Sequence, residues 1–314
     1  MQLPSRMQTL PLSVAGIAVV LGGIAGAALT QAAQAAVSDA DLERAGAGRI
    51  VVIGSPATGR RSRMPLETYV ARVIAGEAEP NAPDAARQAI AVAIRTFAIV
   101  NRGRHRRDGY DLCDTTHCQV PRAATASTRS AALATASRVL TWNGTPAQVF
   151  YSANCGGHSE TASEVWPGAS LPYLQAVPDD VHEDDVPWTL AIRLAEIQQS
   201  LSKQGFTGEL TRLTIEARNA SGRVSRLRLD GLQPDAMTGE AFRMALGPAT
   251  FRSTAFSLTQ HDDYVRFTGQ GYGHGVGMCV VGAARRARRG ETVTDILQTY
   301  FPGLALVPLD AIGL

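Results

Sequence analysis

Residues 65–77 read Pro-Leu-Glu-Thr-Tyr-Val-Ala-Arg-Val-Ile-Ala-Gly-Glu, and their apolar side chains recur at the spacing of one helix face. Pro65 suits the first position of such a helix. The helix either ends at Gly76, which would leave Glu77 in solvent, or continues so that Glu77 lies on the buried face. Burial favours the neutral carboxyl and raises its pKa, as a general acid requires. Glu77 is therefore the candidate catalytic acid.

A second helix is predicted from Asn81 to Asn101, because residues 81–84 have the residue types of a helix start. Residues 89–94 are apolar on nearly every side, so this helix is expected to pack on several faces. Arg95 follows them. An arginine in such a helix either pairs with a carboxylate or contacts a ligand. We include Arg95 among the candidate substrate-binding residues.

The region from Pro65 to Phe301 carries six ordered motifs that resemble the SpoIID/LytB family, the relatives of stage II sporulation protein D. The motifs are PLETY at 65–69, VIAGE at 73–77, AIAVAIRTF at 89–97, CDTTHCQ at 113–119, CGGHSE at 155–160 and GHGVGM at 273–278. The resemblance implies action on peptidoglycan glycan strands, with Glu77 at the catalytic position. The family usually reads Glu-Met-Pro there, whereas this chain has one additional residue before the proline. Glu79 is therefore the alternative acid.

Three potential metal ligands, Cys113, His117 and Cys118, lie within six residues, and His105 lies upstream. Thiolate and imidazole groups at this spacing can face one tetrahedral metal ion. The resemblance implies zinc at the matching positions in some members. The alternative is a disulfide between Cys113 and Cys118, which would form in an oxidising compartment.

Two glycine-rich loops carry the candidate substrate-binding residues. The resemblance implies that these loops come together beside the active site, and we predict that they meet across a groove whose floor contains Glu77, where glycine would let the backbone approach a sugar closely. The candidates are Gly156, Gly157, His158, Tyr272, Gly273, His274 and Gly275. Cys155 and Cys279 lie one in each loop, as a second disulfide or as two buried thiols. Glu160 is a further carboxyl, at a position that looks structural in the family.

The composition excludes some classes of function. A net charge of only +2 gives no basic footprint for nucleic acid. Residues 1–36 have an arginine, a long apolar run and small residues, which is the pattern of a signal peptide or an uncleaved membrane anchor. The rest of the chain is expected to face an extracytoplasmic space, with membrane contact only through this segment.

Helices and hairpins without regular βαβ alternation predict an α+β fold, with a mixed, largely antiparallel sheet and packed helices, as in SpoIID-like proteins. Residues 37–314 are expected to form one catalytic domain with a helix-hairpin insertion at 188–260. Within it, the spacing predicts a helix at 190–205, and alternating residues on either side of 219–222 predict a hairpin.

The resemblance implies a lytic transglycosylase that cleaves the glycosidic bond between N-acetylmuramic acid (MurNAc) and N-acetylglucosamine (GlcNAc) and leaves 1,6-anhydro-MurNAc ends. One carboxyl suffices for that reaction, whereas glycoside hydrolysis generally uses two. The alternative is a non-catalytic module that binds glycan and enhances a cell-wall amidase. A third reading is a zinc-dependent hydrolase centred on His117 and the cysteines.

Overall fold

The structure, a computed structural model, describes residues 36–169, 171–180 and 185–313. The predicted signal peptide or anchor lies outside the described residues except for Ala36. In the part of the chain that is described, no helix combines the length and the apolar character needed to cross a membrane.

Helices and short strands alternate irregularly along the chain. The helices are α1 (Asp39–Ala45), α2 (Leu66–Glu77), α3 (Asp84–Val100), α4 (Ala126–Ala134), α5 (Ala162–Val165), α6 (Leu194–Ser202), α7 (Gly239–Leu246), α8 (Val280–Arg288) and α9 (Val293–Tyr300). The strands are β1 (Ile50–Gly54), β2 (Arg61–Pro65), β3 (Leu112–Cys113), β4 (Arg138–Trp142), β5 (Thr145–Pro146), β6 (Tyr151–Ser152), β7 (Trp188–Arg193), β8 (Thr207–Arg218), β9 (Val224–Gln233), β10 (Ala236–Thr238), β11 (Phe256–His261), β12 (Tyr264–Gly269), β13 (Met278–Cys279) and β14 (Ala305–Pro308).

The strands form several small sheets whose pairs are mostly antiparallel. Their orders are β2-β1-β3, β14-β4-β5, β13-β6, β11-β12-β7 and β10-β9-β8. β1 with β3 and β6 with β13 are parallel pairs. The predicted α+β class with largely antiparallel strands is confirmed.

The main apolar core surrounds α3, which packs against α2, α4, α8, α9 and β4. Its residues from Ala89 to Ala98 are all buried, as the apolar run predicts. The helix begins three residues later than predicted, at Asp84, with Pro83 at the N-cap. Pro65 likewise precedes α2 instead of occupying its first position.

A second apolar cluster is built from residues between Trp188 and Phe267. The sheets β11-β12-β7 and β10-β9-β8 and the helices α6 and α7 supply its buried side chains. The predicted helix at 190–205 is wrong in its first residues, which belong to β7. Burial alternates along β7, and the strand pairs with β12, so the apolar residues at 188, 190 and 192 face one side of a sheet.

A buried ion pair joins α2 to α3. Glu67 and Arg95 are both 0% exposed, and Arg95 Nε lies 2.9 and 3.1 Å from the two Glu67 carboxylate oxygens. Arg95 also donates to the carbonyls of Ala132 and Arg138, while the Ser137 N–H donates to Glu67. Arg95 has no exposed surface for a ligand. Its inclusion among the substrate-binding residues is therefore corrected in favour of the structural pair.

This pair predicts a large, asymmetric effect of mutation. Arg95→Met leaves the Glu67 carboxyl buried without its cation and should lower the free energy of unfolding by about 3–5 kcal/mol. Glu67→Leu combined with Arg95→Met should recover most of that loss, as measured by urea denaturation. Asp84→Asn is the control: it breaks an ion pair with Arg87 in which the Asp84 side chain is 77% exposed, and should cost less than about 1 kcal/mol. Equal losses in the single and double variants would contradict this account.

Candidate active site

Glu77 is the last residue of α2, and its side chain lies against the segment that follows the Cys/His motif. The Val120 N–H donates a hydrogen bond of 2.9 Å to Glu77 Oε1. Burial raises the pKa of the Glu77 carboxyl, while the Val120 bond and the positive charge of Arg122 oppose that rise. The half-buried carboxyl therefore has the environment expected of a general acid.

Gly76 allows the chain to approach Glu77 this closely. α2 continues through Gly76, so the alternative in which the helix ends there is wrong. A Cβ atom at position 76 would lie 1.9 Å from the Val120 carbonyl oxygen, so a larger residue would push the crossing segment away. The Arg122 N–H donates to the Arg72 carbonyl of α2 at 2.8 Å. These contacts fix the Val120 N–H beside the carboxyl.

A short chain of polar side chains lies near Glu77, and sequence reasoning did not assign it to the site. The Tyr69 hydroxyl donates to Gln119 Oε1 at 2.8 Å, and Gln119 Nε2 donates to the Tyr151 hydroxyl at 3.0 Å. Burial is the main cause of the raised pKa of both tyrosines, and the Glu77 carboxyl adds to it. The sequence places Tyr69 on the apolar stripe, and only the position of Gln119 directly after Cys118 hinted at a role.

Glu79, the alternative acid, belongs to a different environment. Its Oε1 lies 2.8 Å from Arg288 Nη2 on α8. Glu77 has no ion pair among the described residues. Of the two carboxyls, Glu77 is the one whose burial is not compensated by a salt bridge.

The structure brings His105, Cys113, His117 and Cys118 together, with their ligand atoms all within 4.8 Å of one another. His105 Nε2 lies 3.2 Å from His117 Nδ1 and 3.4 Å from Cys118 Sγ. Both sulfur atoms lie 3.7 Å from His117 Nδ1. Neighbouring ligand atoms around a tetrahedral zinc ion, bound at about 2.0–2.3 Å, are about 3.3–3.8 Å apart. The four side chains therefore fit such an ion, and Cys113 and Cys118 are free thiols here.

Polar neighbours orient the side chains of this cluster. Asp108 Oδ2 lies 3.0 Å from His105 Nδ1, which leaves His105 Nε2 facing the sulfur atoms. The Thr115 hydroxyl lies 3.2 Å from Cys113 Sγ. His105, eight residues before Cys113 in the sequence, thus has the same access to the cluster centre as His117.

The two glycine-rich loops meet, as predicted. Asn154 and Tyr272 exchange backbone hydrogen bonds of 3.1 and 2.8 Å, and the Glu160 N–H donates to the Gly275 carbonyl at 2.9 Å. The parallel pairing of β6 with β13 brings the loops to the same edge. Tyr151 on β6 links this region to the surroundings of Glu77, because its hydroxyl accepts a hydrogen bond from Gln119. A shared groove with Glu77 at its floor stays a prediction.

The glycines of these loops make room for each other's backbone. A Cβ atom at Gly271 would lie 2.7 Å from the Asn154 carbonyl oxygen, and one at Gly156 would lie 3.0 Å from the Gln270 carbonyl carbon. Both glycines have positive φ. At Gly156 the opposite loop therefore already occupies the space that a side chain would take, and the approach of a sugar to these loops stays a prediction.

Arg223, which sequence reasoning missed, fills the space beside Gly275. It is 1% exposed, and its Nη2 donates to the Cys155 carbonyl at 2.6 Å. A Cβ atom at Gly275 would lie 2.6 Å from the same Nη2. A substitution at 275 would therefore disturb folding as well as any bound ligand. A single arginine in a turn gave no local signal of this long-range contact.

The remaining candidates differ in exposure. Glu160 is buried, and it accepts hydrogen bonds from the Ser221 hydroxyl at 2.7 Å and the Thr161 N–H at 2.8 Å, which is a structural role. His158 Nδ1 lies 2.9 Å from the Ser159 carbonyl oxygen. Tyr272 is 44% exposed and offers a flat apolar face of the kind that sugar rings pack against.

His274 lies in an aromatic cluster. Its ring centroid lies 5.0 Å from that of Trp166 and 6.1 Å from that of Phe150. Its Nδ1 accepts the Val276 N–H at 3.0 Å, so the proton of the neutral ring sits on Nε2. Burial, together with the charges of Arg243 and Arg223, lowers the pKa of His274 to about 3. A neutral His274 can donate from Nε2 but cannot act as a cation.

The lowered pKa predicts acid sensitivity. Between about pH 6.5 and pH 3 the unfolded chain binds a proton at His274 that the folded chain excludes, so stability should fall as the pH falls. We expect the melting temperature to drop by about 5 °C or more between pH 7 and pH 4. His274→Asn, whose Oδ1 can still accept the Val276 N–H, should flatten that dependence in differential scanning fluorimetry. His261→Asn, at an exposed position, should leave it unchanged.

Two family models match separate parts of the chain. The model described as Stage II sporulation protein (SpoIID) matches residues 56–142, which contain Glu77 and the Cys/His cluster. A model described as Domain of unknown function (DUF8618) matches residues 182–277, which contain the second apolar cluster, Arg223 and His274.

Relatives resemble the chain over most of its length. A Stage II sporulation protein D from Bacillus amyloliquefaciens is 29% identical over 268 residues, which cover 79% of this chain and 76% of that protein. An uncharacterized protein of Brachyspira hyodysenteriae is 29% identical over 254 residues, which cover 79% and 68%. An amidase enhancer from Bacillus subtilis is 26% identical over 269 residues, which cover 68% of this chain but 37% of that protein. The SpoIID family model, the relatives and the ordered motifs agree, and together they support the assignment of the chain to the SpoIID/LytB family.

Proposed function

We propose that this chain acts on the bacterial cell wall as a peptidoglycan lytic transglycosylase with Glu77 as its acid and base. The observation that carries the proposal is the environment of Glu77: a half-buried carboxyl with a raised pKa, held by one backbone N–H. Glu79, the other acid of this segment, is held in an ion pair with Arg288. A single carboxyl suits internal displacement better than hydrolysis, which generally uses two.

In the proposed reaction, protonated Glu77 donates its proton to the glycosidic oxygen as the bond to C1 of MurNAc breaks. The Glu77 carboxylate then accepts the proton of the MurNAc C6 hydroxyl while that oxygen bonds to C1. The products are a free GlcNAc hydroxyl and a 1,6-anhydro-MurNAc end. Glu77 recovers its proton, and no water is consumed.

The neighbours of Glu77 suit both halves of this cycle. Burial raises the pKa of the Glu77 carboxyl and so favours the protonated form that the first step needs, whereas the Val120 N–H and the Arg122 charge stabilise the carboxylate that forms during the reaction. The Tyr69, Gln119 and Tyr151 side chains are linked by hydrogen bonds, so the polar groups near the carboxyl are fixed in place. Preorganised groups of this kind lower the cost of charge development.

We also propose a structural zinc ion at His105, Cys113, His117 and Cys118. Cys118 immediately precedes Gln119 and Val120, the two residues that link this segment to Tyr69 and Glu77. An ion bound there would hold the Val120 N–H and the Gln119 amide in register with the carboxyl. This role differs from a catalytic zinc, because the acid and base chemistry stays with Glu77.

The second candidate function is a non-catalytic enhancer that binds glycan strands and stimulates a cell-wall amidase. The similarity of the chain to an amidase enhancer supports this second function. Both functions require the chain to lie outside the cytoplasm, either exported or anchored by residues 1–36. Both have peptidoglycan as the partner, whereas only the enhancer also requires the amidase.

Replacing Glu77 separates these functions. Glu77→Gln should lower the release of anhydro-muropeptides from purified sacculi by about 10³-fold, measured by mass spectrometry, because the amide cannot transfer the proton. Its Oε1 can still accept the Val120 N–H, so the melting temperature at pH 7 should equal or exceed that of the parent protein. Glu79→Gln is the matched control, and its rate of anhydro-muropeptide release should stay within about twofold of that of the parent protein. Unchanged cleavage by Glu77→Gln would refute the assignment. Absence of cleavage in every variant, with amidase stimulation retained, would favour the enhancer.

The pH dependence of cleavage provides a second readout of the same group. Because burial raises the pKa of Glu77, the acid form should persist above the ordinary pKa of glutamate, and kcat/KM should fall as pH rises through the raised value. Glu77→Asp should lower the rate because its shorter chain withdraws the carboxyl from Val120. If kcat/KM instead falls at the ordinary pKa of glutamate, the Glu77 carboxyl is solvated in the working enzyme.

Metal analysis tests the zinc proposal. We expect one zinc ion per chain by plasma mass spectrometry, none after Cys113→Ser with Cys118→Ser, and one after Cys155→Ser with Cys279→Ser. Removal by a chelator should lower the melting temperature by about 10 °C, because metal binding adds to folding free energy. Four reactive thiols without zinc would contradict the proposal. Loss of cleavage on chelation, while the fold persists and Glu77→Gln remains active, would favour the zinc hydrolase.

A further inference from the structure

Cys155 and Cys279 form a second sulfur pair, separate from the Cys/His cluster. The two residues are 124 positions apart in sequence, and each is 2% exposed. Cys155 lies in the loop after β6, and Cys279 ends β13, the strand that pairs in parallel with β6. Their sulfur atoms and a carboxylate oxygen of Asp179 all lie within 4.8 Å of one another.

The two thiols have different hydrogen-bond environments. Cys279 Sγ accepts the Cys155 N–H at 3.2 Å and the Gly282 N–H at 3.3 Å, at the N-terminus of α8. Cys155 Sγ instead donates to Asp179 Oδ2 at 3.6 Å. The hydrogen bond with the Cys155 side chain and burial raise the pKa of the Cys279 thiol, so its environment does not favour a thiolate. The contacts instead provide proximity, because they hold side by side two sulfur atoms that are far apart in sequence.

We infer that Cys155 and Cys279 form an intrachain disulfide in the mature protein. The inference rests on the extracytoplasmic location in the proposed function, because disulfides form in oxidising compartments. A bonded pair needs the sulfur atoms about 2.05 Å apart, and here the two Sγ atoms, as free thiols, lie within 4.8 Å of each other.

The step is a thiol–disulfide exchange with a disulfide donor, such as an oxidised thiol oxidoreductase or oxidised glutathione. Because both cysteines are buried in the folded chain, exchange occurs while the chain folds, when the donor can reach them. One cysteine loses its proton to solvent, and its thiolate attacks the donor disulfide and releases one donor thiolate. The other cysteine, also deprotonated by solvent, attacks the cysteine sulfur of the mixed disulfide and releases the second donor thiolate. The two donor thiolates take up two protons, so two electrons and two protons pass from the cysteine pair to the donor, which becomes two thiols.

A bound metal ion suits this site less well. Asp179 Oδ2 already accepts the Tyr300 hydroxyl at 2.6 Å, and Arg286 lies 3.7 Å from Asp179 Oδ1. A Cβ atom at Gly282 would lie 1.8 Å from Asp179 Oδ2, so helix α8 packs directly on the carboxylate. The imidazoles that surround Cys113 and Cys118 have no counterpart in this cluster.

The disulfide would tie the two glycine-rich loops together. Cys155 precedes Gly156 and His158, whereas Cys279 follows the segment that contains His274. The existing contacts between the loops are hydrogen bonds and the buried Arg223 guanidinium. A covalent bond would hold the two loops in this arrangement.

Peptide mapping tests the inference. The exported protein is denatured without reductant in the presence of iodoacetamide and a chelator, digested, and mapped by mass spectrometry. We expect alkylation of Cys113 and Cys118 only, with the Cys155 and Cys279 peptides joined and two hydrogens lighter, and alkylation of all four cysteines after reduction. Alkylation of all four without reduction would overturn the inference. A second zinc equivalent, lost on Cys155→Ser with Cys279→Ser, would overturn it in favour of a metal site.

Refolding separates the chemistry of the pair from the location of the protein. Denatured, reduced protein is refolded in a glutathione redox buffer and mapped in the same way. If the refolded protein has the disulfide but the exported protein has free thiols, the inference is refuted because the protein does not reach an oxidising compartment. If both the refolded and the exported protein have free thiols, the inference is refuted because the two cysteines do not form a disulfide. In the bridged protein, Cys155→Ser, Cys279→Ser and the double variant should each lower the melting temperature by the same amount, about 5–10 °C, because each removes one shared bond. If the decrease in the double variant equals the sum of the decreases in the two single variants, the cysteines contribute through packing and not through a shared bond. None of these readouts uses Glu77 or glycan cleavage.

Discussion

The buried pair of Glu67 and Arg95 is the constraint on which the arrangement of helices α2 and α3 depends. Two charges that are both 0% exposed must stay together, since either one alone would be buried without compensation. Arg95 also binds the carbonyls at the end of α4 and the start of β4. The pair therefore fixes the rotation of α2 about its axis. Ten residues further along the same helix, that rotation places Glu77 beside Val120.

The two glutamates of α2 illustrate how one helix can carry opposite environments. Glu67 has a bidentate arginine and a backbone N–H as partners. Glu77 has one N–H and a more distant arginine, so burial dominates and raises the pKa of its carboxyl. An acid that must exchange its proton cannot be held in a strong ion pair. The difference between the two sites thus matches a structural role for Glu67 and the proposed role of Glu77 as an acid.

A single loop couples the proposed metal site to the acid. Residues 113–122 contribute two cysteines and a histidine, then the Gln119 side chain, the Val120 N–H and the bond from Arg122 to α2. The loop crosses α2 at Gly76, where a side chain would collide with it. On the other side of the site, Arg223 reaches from the segment matched by the domain of unknown function to the Cys155 carbonyl. Residues far apart in sequence thus converge on the glycine-rich loops.

The sequence by itself determined the features that repeat locally or lie close together in the chain: the apolar faces of α2 and α3, the hairpins, the Cys/His motif and Glu77 as the candidate acid. The tertiary structure decided which partners meet. It paired Arg95 with Glu67, brought Tyr69, Gln119 and Tyr151 to one corner, filled the space beside the loop glycines with the opposite loop, and made residues 188–193 a strand. The physical reason is that periodicity reports only which face of an element is apolar. Contacts between segments far apart in the sequence decide which group pairs with a buried arginine, which atoms fill the space beside a glycine, and whether a segment becomes a strand or a helix. No local pattern in the sequence records those contacts.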